Sequence, residues 1–483
     1  MIFHGLRTFL DALESHNELV RVTMPVDPFL EITEIADRVM KRDGPALLFE
    51  KVKGSSFPLV INAFGSQRRM KLALGIEDIE SIGEDLSALL TSLPPASLGE
   101  KLQLLLKLHQ IAKIFPRLIS GPAPCQQVIM EKPNLDRLPI LTCWPEDGGP
   151  FITLPIVITK DPETGRRNCG MYRLQKFSST TTGLHWQVHK DARRIFNRYK
   201  TAGRRMEVAV ALGGDPVLTY AATAPFPPEM DELVLAGFIK KRGIDLIPGV
   251  TVDIEVPADA DFIIEGYVNP DEEFKAEGPF GDHTGFYTPV EQFPVFHVTA
   301  ITHRKDPVYP ATIVGIPPKE DAYFGWVTER IFLPLLKVVF PEIVDIHLPV
   351  EGGFHNLAIV SIKKSYPGQG TKIMQSLWGM GQMMLTKCLI VVENDIDIHD
   401  LRQLSWYVLS SMDPKRDFTV WQGPLDQLDH ASNHALYGGK IGIDATKKWK
   451  EEGYMRTWPE MITMDREVVK RIDAIWRSLG IET

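Results

Sequence analysis

A mixed architecture, α/β plus β, is predicted by three observations along the chain. Up to about residue 115 short apolar strands alternate with helical repeats, the signature of an α/β region. Between about 116 and 316 the chain reads mostly as strands rich in Val, Ile, Thr and aromatics, separated by turn signals, which suggests a barrel or a strongly curved sheet. From about residue 317 the alternation of strand and helix returns. With 483 residues and about 150 residues per domain as a prior, the partition is 1–115, 116–316 and 317–460, with a terminal helix at 461–483.

In the first region Leu6, Phe9, Leu10 and Leu13 carry helical spacing. Val20, Val22 and Val26 read as a strand ending near Pro28, Leu30–Met40 as a helix, and Ala46–Glu50 and Leu59–Ala63 as short strands. Residues 84–115 are Leu-rich and helical, interrupted by Pro94 and Pro95. A run of prolines from Pro116 to Pro139 marks the boundary. The expected strands of the middle are Thr153–Thr159, Asn168–Gln175, Ser179–Gln187, Glu207–Leu212, Thr251–Val256, Phe262–Val268 and Val295–Arg304. One helix interrupts them, Pro228–Arg242, with Gly243 as its C-terminal cap. The last region offers a strand Leu357–Ile362, a helix Thr371–Leu385, a strand Cys388–Val392 and a helix over 401–411. The helix Arg466–Leu479 is amphipathic through Val469, Ile472, Ile475, Trp476 and Leu479. Its stripe either caps its own domain or docks on a second subunit.

Composition narrows the function classes. A net charge of −9 and a pI near 5.9 argue against nucleic acid as a partner, since phosphate backbones demand a basic surface. The cysteines Cys125, Cys143, Cys169 and Cys388 form no CxxC pair, so neither a zinc knuckle nor a disulfide framework is indicated. A reduced, cytoplasmic setting is expected, with a peripheral place at the inner membrane face as the variant. Residues 1–14 form an acid-bearing amphipathic helix without a leader's apolar core, and no stretch reaches the ~18 apolar residues of a membrane span.

Several residues stand out chemically. Glu277-Gly-Pro-Phe-Gly-Asp282-His-Thr-Gly285 places two carboxylates five apart in a Gly- and Pro-broken loop. Such a loop can fold both acids towards one point, or be a solvated turn. Asn168 and Arg173 lie on one expected strand, yet their spacing puts them on opposite faces unless the strand is irregular near Gly170. His185, Gln187 and His189 would share a strand face, as ligands or bases or as ordinary core and surface histidines. Glu232 sits in a helix apolar nearly all round, so it is expected to be buried and to need a cation. That cation is either an arginine or a metal. Asn168 oxygen, His189 nitrogen and Glu232 oxygen would form a mixed set that suits Mn²⁺ better than zinc. Neither a phosphate-loop motif nor a dinucleotide-binding glycine motif occurs, nor a Ser-His-Asp order, nor HExxH.

Six ordered stretches together resemble the UbiD family of prenylated-FMN-dependent decarboxylases. They are Pro45-Ala-Leu-Leu-Phe-Glu50, Ile140-Leu-Thr-Cys-Trp-Pro-Glu-Asp147, Asn168-Cys-Gly-Met-Tyr-Arg173, His185-Trp-Gln-Val-His-Lys190, the loop from Glu277 to Gly285, and Gly438-Gly-Lys-Ile-Gly-Ile-Asp-Ala-Thr446. The resemblance implies a flavin-binding split β-barrel in the middle of the chain. It implies Asn168, His189 and Glu232 as Mn²⁺ ligands, the metal gripping the cofactor phosphate, with K⁺ as a further ion. Met171, Tyr172, Arg173, His185, Trp186, Gln187, Lys190 and Asp191 match segments that line prenylated FMN, and Lys387 is a further candidate to face it. Arg173, Glu277 and Asp282 match the catalytic network, Asp282 standing where some relatives carry Glu.

Arg173 is then expected to hold a substrate carboxylate at two points. Asp282 delivers the proton that replaces CO₂, and Glu277 with Arg173 sets its pKa. The implied reaction is reversible decarboxylation of a hydroxybenzoate-type aromatic acid. The first candidate is 4-hydroxy-3-polyprenylbenzoate in ubiquinone biosynthesis. Alternatives are a dihydroxynaphthoate in menaquinone biosynthesis or another aromatic acid, and, in another class, a non-catalytic flavin- or metal-binding scaffold. The implied partners are a flavin prenyltransferase and other copies of the chain, as a dimer or hexamer.

Overall fold

The computed structural model describes residues 3–91, 112–188, 190–226 and 230–481. Most of the expected helix over 84–115, with Pro94 and Pro95, lies outside these residues, as do His189 and the start of the expected helix Pro228–Arg242. The fold is mixed α/β. It is built on three main sheets.

At the N-terminal end the helix Leu6–Ser15 buries Leu6, Phe9, Leu10 and Leu13, as its spacing requires. Strands Leu19–Val22, Ala46–Phe49 and Leu59–Ile61 pair side by side, and Tyr309–Pro310 completes a four-stranded sheet. That fourth strand arrives from beyond the middle of the chain, so the first region is stitched to the second. Leu19–Val22 runs parallel to Ala46–Phe49. Their connection is the helix Glu31–Met40, which buries Ile32, Ala36 and Met40.

The central sheet is antiparallel. Its path runs Thr181–Gly183, Val295–His303, Phe262–Val268, Met206–Leu212, Ile156–Lys160, Arg167–Gly170, and Val128–Ile129 adds to Val295–His303. Both faces are buried, so its strands read as continuous apolar runs. Val208, Val210 and Leu212 join Val157, Ile264, Trp186 and Phe196 on one face. Ala209 and Ala211 join Ile156, Ile158, Ile263, Leu233 and Leu235 on the other.

Several expected elements differ; the helix Thr371–Leu385, for one, ends at Trp378 and is followed by a separate turn Gly381–Leu385. The single strand Asn168–Gln175 breaks into Arg167–Gly170 and Leu174–Gln175. The break is local and steric: the Tyr172 ring lies where a Cβ on Gly170 would be, 2.4 Å away. Ser179–Gln187 is a strand only over Thr181–Gly183, so His185 and Gln187 do not share a regular strand face. Thr251–Val256 shrinks to Glu255–Pro257, because the amides of Val250 and Thr251 turn to the buried Glu265 carboxylate at 2.8 and 2.5 Å. The helix Glu232–Lys240 stops at Lys241, in the left-handed region at φ 55°, rather than at Gly243.

The C-terminal sheet is mixed, ordered Ile343–His347, Leu357–Ile362, Cys388–Glu393, Tyr437–Asp444, Phe418–Pro424. Helix Gln369–Trp378 packs Ile373, Met374 and Leu377 on one face, and helix Leu401–Ser411 packs Leu404 and Val408 on the other. The terminal helix Arg466–Ile475, continued by a single turn Trp476–Leu479, does not cap this domain. Val469, Ile475 and Leu479 stay 43%, 42% and 47% exposed. No helix among the described residues is long and apolar enough to cross a membrane.

The first region is also tied to the third by two helices, Glu80–Thr91 and Asp321–Val339. They approach at Gly83, where a Cβ would lie 2.1 Å from the Ile331 carbonyl oxygen. Gly83→Ala removes an intrinsic helix cost of about 1 kcal/mol but overpacks a backbone contact, at about 1–3 kcal/mol. The clash should win, and the urea midpoint of Gly83→Ala should fall below the wild type; an equal or higher midpoint would mean the helices part without strain.

Candidate active site

The loop from Glu277 to Gly285 is pinned from beneath by polar contacts. Glu277 ends the strand Lys275–Glu277, which pairs with Glu291–Phe293. Gly278 takes the left-handed region at φ 99°, and its amide donates to Gln175 at 2.7 Å. The Asp147 carboxylate accepts from the amides of Gly281 at 2.8 Å, Trp144 at 2.9 Å and Cys143 at 3.0 Å. A Cβ on Gly281 would lie 2.2 Å from the Trp144 indole, so only glycine lets the loop come this close.

Onto this loop folds Arg173, freed from the ladder by the break at Gly170. Its Nε donates to Glu277 Oε1 at 2.9 Å and its Nη2 to Oε2 at 3.2 Å; Nη1 donates to Asp282 Oδ2 at 2.5 Å. Nη2 also reaches Thr288 Oγ1 at 3.4 Å. The guanidinium lies over the Phe280 ring, 4.4 Å from its centre. These contacts occupy four of the five guanidinium N–H groups. One N–H of Arg173 is left for a further partner in this arrangement, one fewer than the two-point hold expected from sequence requires.

The electrostatics follow. Burial raises the Glu277 pKa, but the hydrogen bond from His185 Nδ1 at 3.1 Å and the Arg173 charge outweigh it and hold Glu277 at about 2. Burial likewise opposes ionisation of Asp282. The hydrogen bond from His283 and the charges of Arg173 and His283 overcome it and keep Asp282 well below the usual range. Burial and the Arg173 charge depress His185. Both loop acids are thus carboxylates around one guanidinium.

The expected metal ligands lie at the base of the helix Glu232–Lys240. Glu232 is buried, its Oε1 accepting from Asn168 Nδ2 at 2.8 Å and its Oε2 from the Cys169 amide at 2.7 Å. The arginine alternative fails here: Arg167 turns instead to Asp231 at 3.1 Å and Glu255 at 2.9 Å. Burial, with the nearby charges of Asp231 and Asp191, pushes Glu232 up to about 8. Asn168 gives its amide N–H to Glu232, and its Oδ1 accepts from the Tyr172 hydroxyl at 3.5 Å, which leaves one lone pair for a cation. Cys169 adjoins the pair, but burial holds its thiol protonated, which makes it a poor ligand. The donor set therefore fits a divalent cation on Asn168 and Glu232; His189 lies outside the described residues.

Beside this base opens a cavity of about 580 Å³, lined among others by Val188, Lys190, Asp191, Arg194 and Arg198. Its size is that of a small-molecule site, and it carries the bases Lys190, Arg194 and Arg198 beside the acids Glu163 and Asp191. Next to it His185 Nε2 and Trp186 Nε1 are buried without a partner among the described residues. Tyr172 is buried beneath Gly170, Met171 and Gln187 are half-buried, and Asp191 opens the helix Asp191–Thr201. Of the flavin-facing residues expected from sequence, Lys190 and Asp191 line this cavity, and Lys387 lies apart from it. That lysine is engaged by Asp429 in the C-terminal layer.

Two site residues carried no signal in the sequence. His283 Nδ1 lies 3.0 Å from Asp282 Oδ1, and its Nε2 lies 2.6 Å from Nε2 of His355, 72 positions away. Nothing in spacing connects them; the docking of the C-terminal sheet does.

The depression of Glu277 has a consequence for stability. A carboxylate held below its usual 4.5 at about 2 stabilises the fold above pH 4.5, and this contribution is lost as pH falls towards 2. In urea titrations the wild type should lose more stability between about pH 5 and about pH 2.5 than Glu277→Gln does. Parallel losses would mean that the clamp contributes nothing to folding.

Comparisons with known proteins agree with this construction. Residues 117–317 match the family model for the 3-octaprenyl-4-hydroxybenzoate carboxy-lyase Rift-related domain, 322–445 its C-terminal domain and 10–89 its N-terminal domain. An uncharacterised protein of Archaeoglobus fulgidus is 52% identical and one of Aquifex aeolicus 51%, each covering 99% of both chains. Among solved structures, the UbiD-class enzyme HmfF of Pelotomaculum thermopropionicum in complex with FMN aligns at TM-score 0.80 and 29% identity, covering 97% of this chain and 100% of that one. The vanillic acid decarboxylase of Sedimentibacter hydroxybenzoicus, in closed form, shares the fold at TM-score 0.86 and 24% identity, over 99% and 100%. With its three domain segments, its relatives and its fold in agreement, the chain belongs to the UbiD family of carboxy-lyases.

Proposed function

We propose that this protein catalyses reversible, non-oxidative decarboxylation of a hydroxybenzoate-type aromatic acid with prenylated FMN and Mn²⁺. The observation that carries the proposal is the buried Arg173 clamp on Glu277 and Asp282, in a chain that also buries Glu232 against Asn168 and opens a cavity at Lys190 and Asp191. Loss of CO₂ from an aromatic ring leaves a carbanion-like centre, and the bound flavin supplies the electron sink for it. HmfF has been solved with FMN, and an evolved dimeric form of it with prenylated FMN. On this reading Asn168, Glu232 and His189 hold the metal, with Lys190 and Asp191 near the phosphate. Met171, Tyr172, His185, Trp186 and Gln187 line the ring system, and the central sheet is the core of a split barrel. K⁺ belongs to the same reading as a second ion.

The chain's own residues then act in order. The free N–H of Arg173 meets the substrate carboxylate and orients it. Glu277 and the face of Phe280 hold the guanidinium still. Once CO₂ has left, Asp282 delivers a proton to the ring carbon it occupied. In reverse, Asp282 removes that proton. The acid named in the family model's description makes 4-hydroxy-3-polyprenylbenzoate the first substrate to assay, with a dihydroxynaphthoate second. The exposed stripe of the terminal helix supports a homo-oligomer.

The test is holoprotein from co-expression with a flavin prenyltransferase, assayed against a panel of aromatic acids. Turnover and solvent deuterium in the product are expected; a protein that binds flavin and metal but never exchanges deuterium is a scaffold. Asp282→Asn should keep flavin and manganese and lose turnover by at least about 100-fold; surviving activity would remove Asp282 as donor. Glu232→Ala should lose manganese and flavin together, read by metal analysis and flavin absorbance, and retention of both would exclude it from the metal set.

A further inference from the structure

Asp282 poses a chemical problem for its own role. A donor must carry a proton, yet Arg173 and His283 together hold Asp282 ionised. The proton must therefore come from a neighbour, and His283 is the titratable group hydrogen-bonded to it. His283 touches Asp282 twice, its amide donating to Oδ1 at 2.7 Å and its Nδ1 lying 3.0 Å from the same oxygen. Its Nε2 meets His355 Nε2 at 2.6 Å, and its ring lies against Phe354 at 5.2 Å. A hydrogen bond between two imidazoles needs one donor and one acceptor.

The charges around the pair decide which is which. At His283 the hydrogen bond and charge of Asp282, with Asp321 and Asp426, act against burial; at His355 burial and the His283 charge, with Lys190, outweigh Asp426 and the more distant Asp282. Burial depresses both rings. The acids win at His283, which is raised, and they do not at His355, which falls to about 4. His283 is then the imidazolium, donating to Asp282 from Nδ1 and to His355 from Nε2. His355 is the neutral acceptor, carrying its own proton on Nδ1, a buried atom without a partner among the described residues.

We infer that His283 is the proton store for Asp282, and that His355 holds it in the doubly protonated form. The inference rests on the proposed decarboxylation. The balance is one proton per CO₂. Asp282, protonated by His283 Nδ1, gives that proton to the ring carbon and returns to carboxylate. His283 is left as neutral imidazole that keeps its Nε2 proton and donates it to His355 Nε2, and water restores the Nδ1 proton before the next turnover. In the carboxylating direction the same proton runs back from carbon to Asp282 to His283. His283 acts through Asp282 and is a positioning residue in that sense, as is His355. This arrangement predicts an alkaline limb in kcat set by His283, since the store empties as pH rises through its pKa.

Two measurements test it. In cofactor-free protein with ¹³C-labelled histidine, one resonance should titrate above the usual histidine range. It should vanish in His283→Asn and move to lower pH in Asp282→Asn and in His355→Leu. In holoenzyme, His283→Asn should lower kcat about 100-fold and abolish the alkaline limb, with KM changed less than about two-fold. His355→Leu should shift that limb to lower pH, and His355→Gln, whose amide oxygen can accept at the Nε2 position, should restore it. An unchanged kcat and pH profile in His283→Asn, or no resonance titrating above the usual range, overturns the inference. Asp282→Asn assayed alongside separates the cases: if it is inactive while His283→Asn is normal, only the proton store is wrong. If it too is active, the donor assignment itself falls.

Discussion

The site depends on one ionic arrangement, a guanidinium shared between two carboxylates in a largely water-free setting. Arg173 is nearly enclosed, Glu277 is 1% exposed at its side chain and Asp282 10%. Removing any one partner would leave a buried charge uncompensated, which is the costly way to break such a network. Taken with His283, the four groups balance as two cations and two anions. On the proposed reading, that neutrality would let a substrate carboxylate approach without displacing a protein group, and geometry rather than net attraction would orient it, since a single N–H of Arg173 is left.

The surrounding fold serves to keep this arrangement rigid. The central sheet is covered on both faces, so the strands that carry Asn168 and the loop after Arg173 cannot sag into solvent. Beneath the catalytic loop, Asp147 satisfies three amides at once and Gln175 a fourth. A loop held by its own backbone donors has little freedom to reposition its acids, which is the condition for electrostatic preorganisation. The base of the helix Glu232–Lys240 shows the opposite condition. There a buried carboxylate has the Asn168 side chain and the Cys169 amide as partners and neither lysine nor arginine among the described residues, a setting that a bound divalent cation would stabilise.

Much of the fold was legible because periodicity is a local property. The buried stripe of Leu6, Phe9, Leu10 and Leu13 and the apolar runs at Met206–Leu212 and Phe262–Val268 announce themselves within a few residues. Errors fell where a side chain overrode the local pattern: the Tyr172 ring on Gly170 broke a strand, and Glu265 captured the amides of Val250 and Thr251. At the site, Glu277, Asp282 and Arg173 were visible as charged residues in apolar or broken surroundings, and family resemblance joined them. His283 and His355 were not joined, because their contact spans 72 positions and two sheets. The single-point reach of Arg173 was equally hidden, since the number of N–H groups left over is fixed only once every partner is in place.

The contact between His283 and His355 also bears on how the molecule comes into being. His355 lies two residues before the strand Leu357–Ile362, so it meets His283 only when the C-terminal layer has closed over the loop from Glu277 to Gly285. Phe354 on His283, Gln427 on Glu291 and His430 on Phe286 are made in the same docking. Larger chains fold region by region, with the last interface formed late. A nascent chain with its first two regions complete would already own the Arg173 clamp yet lack the group that steadies its proton supply. Catalytic competence would thus be withheld until synthesis and docking are finished, which makes assembly order itself a safeguard against premature chemistry.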